Sequence, residues 1–201
     1  MSGILALGES RDWLGSSDAT SPTPANANRR SGTVCAAAVN ARNDQPAGAG
    51  ANLELEELFS YRLVALAEIQ MLGEVPEGAR ANFINGPDVE VYGARLRGRM
   101  LPWGGDWLTV RRDGVALLDV RNVIETTDGA RILYRYHGVA DLGPDGYERF
   151  VAGDPPAATL RGAPLMSTGH PDFLWLNRLQ CVVAGELLPG EPSVLSVFAL
   201  L

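Results

Sequence analysis

Five residues in the middle of the 201-residue chain carry groups able to move protons or hold an oxyanion: Asp106, Asp119, Arg121, Tyr134 and Tyr136. Asp119 and Arg121 stand in "GVALLDVRNVIE", residues 114–125, which alternates as a half-buried strand does. Alternate side chains of a strand share a face, so this pair lies beside Val115, Leu117 and Val123 on the apolar side. Apolar walls with a few directional polar groups are the usual lining of a small-molecule site. Within it a desolvated Asp119 or Asp106 is a candidate base, and Tyr136 or Tyr134 a candidate acid or oxyanion donor. Arg121 would orient an oxygen of the ligand. The competing structural reading makes Arg121 a clamp between Asp106 and Asp119, although burying such a triad seldom adds stability.

These residues meet only if the hairpins bring them together. Asp113-Gly114 and Asp128-Gly129 read as two-residue turns between alternating runs. That spacing pairs Val110 with Leu117, Leu108 with Asp119 and Asp106 with Arg121. In the next hairpin it pairs Val123 with Tyr134 and Arg121 with Tyr136. One face then collects Leu108, Val110, Leu117, Val123 and Ile132 with all five candidates. The opposite face, with Trp107, Thr109, Arg111, Leu118, Asn122, Leu133, Arg135 and His137, reads as the exterior. A slip of one residue in either turn would exchange the faces.

The wider pattern is all-β. From Leu53 onward short alternating segments are punctuated by Gly, Asp-Gly and Pro-Gly, and no long stretch keeps apolar residues at helical spacing. Many strands without covering helices predict a single antiparallel β-barrel, since closure removes exposed edges. The barrel is assigned to residues 53–201. Residues 1–52, rich in Ala, Asn, Ser, Gly and Pro, read as a disordered low-complexity tail. Residues 74–93 and 140–172 read as long loops, the second too long for a hairpin connection and of the size of a functional lid.

Composition narrows the chemistry. All 17 basic residues are Arg, which excludes a Schiff-base or P-loop lysine. Net charge is −7, which argues against a nucleic-acid partner. No apolar run reaches the roughly 20 residues that span a bilayer, and the first ten residues lack a secretory n-region, so no membrane partner and a cytoplasmic location are expected. Cys35 and Cys181 form neither a disulfide framework nor a zinc spacing. No metal and no cofactor are predicted. His137 reads as a surface residue. His170, in "STGHPDF", sits in the long loop where it could fold over the barrel mouth, and Ser167 and His170 form no recognisable nucleophile motif.

With these segments laid out, the chain resembles the family catalogued as domain of unknown function 3237, also called the UPF0311 group. Gly104, Gly105, Asp106, Trp107, Arg111, Asp113, Gly114, Leu118, Asp119 and Arg121 match its PGG-x-DW-x-x-x-R-x-DG-x-x-x-LD-x-R stretch. Thr127, Asp128, Gly129, Ala130 and Ile132 match T-x-DG-A-x-I. Trp175, Leu176, Asn177, Arg178, Val182 and Gly185 match the C-terminal WLNR segment. Trp103 and Phe173 depart from the usual Gly and Tyr, and "INGPDVEVYG" replaces a usual TGG segment. The resemblance implies a small calycin-like β-barrel and supplies no established reaction. It adds Trp175 and Asn177 to the candidate ligand contacts, beside Trp107 and His170; the pair reads as sharing a strand face with Phe173, Leu179 and Cys181.

The leading expectation is a cofactor-independent acid/base enzyme (isomerase, cyclase, dehydratase or lactone hydrolase) acting on a small, partly aromatic molecule in the barrel interior. A non-catalytic carrier or sensor using the same pocket is the alternative. A structural barrel forming a homodimer, with the polar triad as a strand clamp, is the third.

Overall fold

The structure is a computed structural model that describes residues 53–87 and 89–201; the segment assigned to a tail, 1–52, lies outside the described residues. Its strands are β1 (Leu55–Leu63), β2 (Leu66–Val75), β3 (Gly78–Asn85), β4 (Val89–Tyr92), β5 (Gly98–Met100) and β6 (Gly105–Val110). They continue with β7 (Val115–Thr126), β8 (Arg131–Asp141), β9 (Ala158–Gly162), β10 (Leu165–Ser167), β11 (Cys181–Leu187) and β12 (Ser193–Leu200). A short helix α1 (Gly146–Val151) precedes β9, and a 3-10 helix spans Pro171–Arg178.

Eight strands close a ring. Following hydrogen-bonded neighbours, β7 leads through β8, β9, β11, β12, β1, β4 and β5 back to β7, every pair antiparallel. This is the antiparallel β-barrel that the alternation predicts. The last strand lies between β11 and β1, and Leu201 donates its N–H to the Glu54 carbonyl at 2.9 Å. The long strand β7 is also a branch point: β5 and β6 share one of its edges, and β6 carries β3 and then β2 outward as a side sheet.

Period-two alternation explains the core. In β12, Ser193, Leu195, Val197 and Ala199 are buried and their neighbours are not. Phe59, Ile124, Ile132, Tyr134, Val183, Leu195 and Val197 are inaccessible to solvent and pack as one interior cluster. Burying each of these large side chains contributes about 1.5–3 kcal/mol.

Both expected long loops carry elements. Residues 74–93 hold β3 and β4, and residues 140–172 hold α1, β9 and β10. The physical reason is small inward residues: β3 buries Ala79 and Ala81, and β9 buries Ala158 and Leu160, so their alternation is faint to a hydrophobicity pattern. The segment "LFSYRLVALAEI" is likewise two strands, broken after Leu63.

The two central turns differ from expectation by one residue each. Arg111 donates to Val115 O at 2.9 Å and Gly114 to Arg111 O at 3.0 Å, so the loop is 112–114 with Gly114 at φ +81°. The second hairpin repeats this: Thr126 donates to Ala130 O at 2.9 Å, and Gly129 has φ +82°. Each is a three-residue hairpin closed by a left-handed glycine, a bulge that adds one residue to the connection. Register follows: Val110 pairs with Ala116, Thr109 with Leu117, Gly105 with Arg121, and Val123 with Leu133. In β7 the buried side chains are therefore Ala116, Leu118, Val120, Asn122, Ile124 and Thr126, while Leu117, Asp119, Arg121 and Val123 lie on the outer face.

Candidate functional site

The five predicted residues divide between the two faces of the sheet. Asp106, Tyr134 and Tyr136 project inward; Asp119 and Arg121 do not. The expectation that all five converge in the interior is therefore corrected, and the cause is the extra residue in each turn.

Asp106 sits where the β6–β7 ladder opens. Pairing runs at Gly105–Arg121 and Asp106–Val120 and resumes only at Thr109–Leu117. In the gap, the Asp119 backbone N–H donates at 2.9 Å to the Asp106 Oδ1 instead of to a strand carbonyl. The carboxyl is only partly accessible. Burial pushes its pKa from the ordinary 3.8 up to about 7, the Asp119 N–H pulls it back, and the Asp119 charge raises it further. It therefore exchanges its proton near neutrality, as a general acid or base requires.

Behind it lie three phenols. Tyr61 and Tyr136 share a hydrogen bond between their hydroxyls at 3.3 Å. Tyr134 packs edge-on against both, with ring centroids 6.0 Å from Tyr61 and 5.5 Å from Tyr136, and its hydroxyl finds no partner. Burial pushes all three up, Tyr61 to about 12, so they stay neutral donors. The charge of Asp106 adds to the rise of Tyr61 and Tyr136, which places carboxyl and phenols in one electrostatic cluster. Tyr136 also leans on Gly162, where a Cβ would strike the ring. The buried Cys181 thiol is raised to about 11 by burial, so it is not an activated nucleophile.

Tyr61 was not singled out from the sequence. Its signal was present: two residues after Phe59 in "LFSYRL", it shares the inward face of β1, and Tyr92 of β4 is not its partner there but pairs with Ser60.

On the outer face Arg121 grips Asp119 with Nε to Oδ1 at 3.2 Å and Nη2 to Oδ2 at 3.0 Å. The guanidinium side chain is 65% exposed and the carboxylate 33%, so this is a surface pair and not a buried triad. His137 joins its edge, 3.9 Å from Asp119, on the face expected for it. Trp107, Arg80, Asn82 and Leu72 complete a cleft of about 370 Å³ here.

The WLNR residues lie elsewhere. Residues 171–178 form the 3-10 helix and not a strand, so Trp175 and Asn177 do not share a face with Cys181 of β11. Pro171 at the helix start and the short i,i+3 spacing suit this conformation. Asn177 clamps Thr168 at both backbone groups, accepting its N–H at 2.8 Å and donating to its carbonyl at 2.9 Å. Trp175 packs half-buried against the core, with the Arg95 guanidinium 4.7 Å over its ring. Both side chains thus make contacts within the chain. His170 caps the same helix and packs at a tilt against Phe173, ring centroids 5.6 Å apart; its Nδ1 is buried without a hydrogen bond. None of these three hydrogen-bonds to Asp106 or to the three phenols among the described residues. Among the described residues no group of three or more His, Cys, Asp and Glu side chains gathers to hold a metal ion, and no helix is long and apolar enough to cross a membrane.

The chain is similar to proteins of known sequence and structure over its barrel. A UPF0311 protein of Clostridium acetobutylicum is 30% identical over 141 residues, covering 68% of this chain and 88% of its own. A β-barrel-like protein of Acinetobacter baumannii AYE superposes with a TM-score of 0.63 at 25% identity, over 75% of this chain and 97% of its own. The fold extends to a solved structure described as an enzyme from Penicillium herquei, with a TM-score of 0.56 at 19% identity over 74% of this chain and 95% of that one. The family model for proteins of unknown function DUF3237 matches residues 53–200, and the chain belongs to that family.

Proposed function

We propose that this barrel is a cofactor-independent acid/base catalyst for a small, partly aromatic molecule, with Asp106 as the proton-transfer group and the Tyr61–Tyr136 pair as hydrogen-bond donors. The observation that supports this is the polar cluster itself: one carboxyl and three phenols occupy an interior that aliphatic side chains would fill more stably. Unpaired buried polar groups cost about 1–3 kcal/mol each, and the Tyr134 hydroxyl is one. Such costs persist where chemistry needs the groups. Asp106 keeps part of its surface open to solvent, while the three phenols are buried.

In this reading ionised Asp106 takes a proton from an acidic C–H or O–H of the ligand. A neutral phenol donates to the oxygen on which charge develops, and Asp106 returns the proton at another atom. Isomerisation and cyclisation use this pair of roles as it stands. In dehydration the returned proton leaves with the ligand hydroxyl as water. In lactone opening the first proton comes from a solvent water that adds to the carbonyl. The Penicillium protein, described as an enzyme, shares the fold at 19% identity, which is consistent with this reading.

The test is native mass spectrometry of protein purified from its own host, followed by incubation of any co-purifying molecule with wild type, Asp106→Asn and Tyr136→Phe. Turnover by wild type that Asp106→Asn abolishes while still binding supports the proposal. Binding with no turnover by wild type turns the assignment to a carrier or sensor. Wild-type turnover that survives in Asp106→Asn removes Asp106 from the reaction.

A further inference from the structure

The outer face of the side sheet carries a concavity whose lining includes neither Asp106 nor the three phenols. Arg80 and Asn82 of β3 stand beside Thr109 and Trp107 of β6, their register partners, and Arg121 of β7 lies across the opening. Leu72, the extra residue in the β2 bulge between Met71 and Gly73, forms the rim. The cleft holds about 370 Å³, at the lower end of the roughly 300–1,000 Å³ typical of small-molecule sites.

Its two guanidinium groups are not equivalent. Arg121 spends Nε and Nη2 on both oxygens of Asp119, which neutralises that pair. Arg80 has no carboxylate partner among the described residues; its Nε donates to the Thr109 hydroxyl at 3.2 Å. The Thr109 bond orients the guanidinium, and its terminal nitrogens have no hydrogen-bond partner among the described residues. Trp107 presents an indole that is 40% exposed, and the Asn82 amide lies on the same face. An uncompensated planar cation beside an exposed aromatic surface is complementary to a flat anion: the carboxylate takes the guanidinium fork and the ring lies on the indole.

We propose that this cleft is a binding site for a small aromatic carboxylate, held by Arg80 and stacked on Trp107. The site does not rest on the acid/base reading of Asp106, because it lies on the opposite face of the sheet.

The experiment is isothermal titration of the full-length protein with benzoate, with benzamide and acetate as probes lacking the charge or the ring. Benzoate is expected to bind with one-to-one stoichiometry and to shift Trp fluorescence, with benzamide and acetate each weaker. Arg80→Gln and Trp107→Leu should each weaken benzoate about tenfold or more. Arg80→Lys, which keeps the charge but loses the fork, should fall between. Tyr136→Phe should bind as wild type does. Unchanged thermal melts establish that the variants are folded. The proposal is overturned if benzoate shows no saturable binding, if benzamide binds equally, or if Arg80→Gln is indistinguishable from wild type. A loss in Tyr136→Phe alone would move the anion to the interior and overturn it as well.

Discussion

Replacing Asp106 by Asn should remove a pH dependence from the stability of the whole barrel. In the folded chain the carboxyl titrates at about 7, against an ordinary 3.8. Between those values the folded state keeps a proton that the unfolded chain has released. Stability is therefore fully present below the unfolded value and falls as pH rises, until the folded group ionises near 7. At about 1.4 kcal/mol per pH unit the full loss is about 4 kcal/mol, a large fraction of the roughly 5–15 kcal/mol that holds a domain together. Asn is isosteric and neutral, and its carbonyl still accepts the Asp119 N–H. Urea unfolding of both proteins from about pH 5 to about pH 8 exposes most of the effect. Taking the difference between them cancels every other titrating group. The Asn variant should gain about 3 kcal/mol on wild type across that range. A difference that stays flat with pH would refute the claim that a desolvated carboxyl sits behind the β6–β7 gap.

Tyr134→Phe deletes the unpaired buried hydroxyl and should raise stability by about 1 kcal/mol in chemical denaturation. Gly114→Ala should destabilise far more than Gly129→Ala. Both glycines are left-handed, which alone costs an alanine about 1 kcal/mol, but a Cβ at 114 also overlaps the Gly143 carbonyl whereas at 129 it meets open space. Urea melts of the two variants compare them directly. Arg121→Ala should leave the melting temperature within replicate scatter, since its pair with Asp119 is solvent-exposed; a large drop would restore the buried clamp.

The faces of three consecutive strands show how much of this was legible in the sequence. Alternation alone places Leu108 and Val110 of β6 and Ile132, Tyr134 and Tyr136 of β8 inward, as they are. Only β7 between them is reversed. A two-residue turn and a three-residue turn differ by one in register, and the same error occurs at Gly114 and at Gly129. Two equal slips cancel between β6 and β8 but leave the middle strand turned over. Asp119 and Arg121 were thus assigned to the interior with residues that are there. Asp-Gly suits either turn, because a left-handed glycine serves both, so the dipeptide by itself does not set the count. The WLNR segment misleads for a different reason: Trp175, Asn177 and Leu179 alternate well enough for a strand, but Pro171 and the clamp on Thr168 hold the segment in a tight helix. Arg80 and Asn82 carry no alternation signal of their own because the inward positions of their strand are alanines.

The position of β12 between β11 and β1 has a consequence for how the protein is made. A ring that is closed by β12 on β1 cannot form until β12 is free to pair. Until then β1 offers an open row of amides and carbonyls, and the nascent barrel is a curved sheet with two sticky margins. Closure joins residues more than a hundred positions apart, a non-local pairing that is slow to form and leaves the open sheet prone to association until it is made.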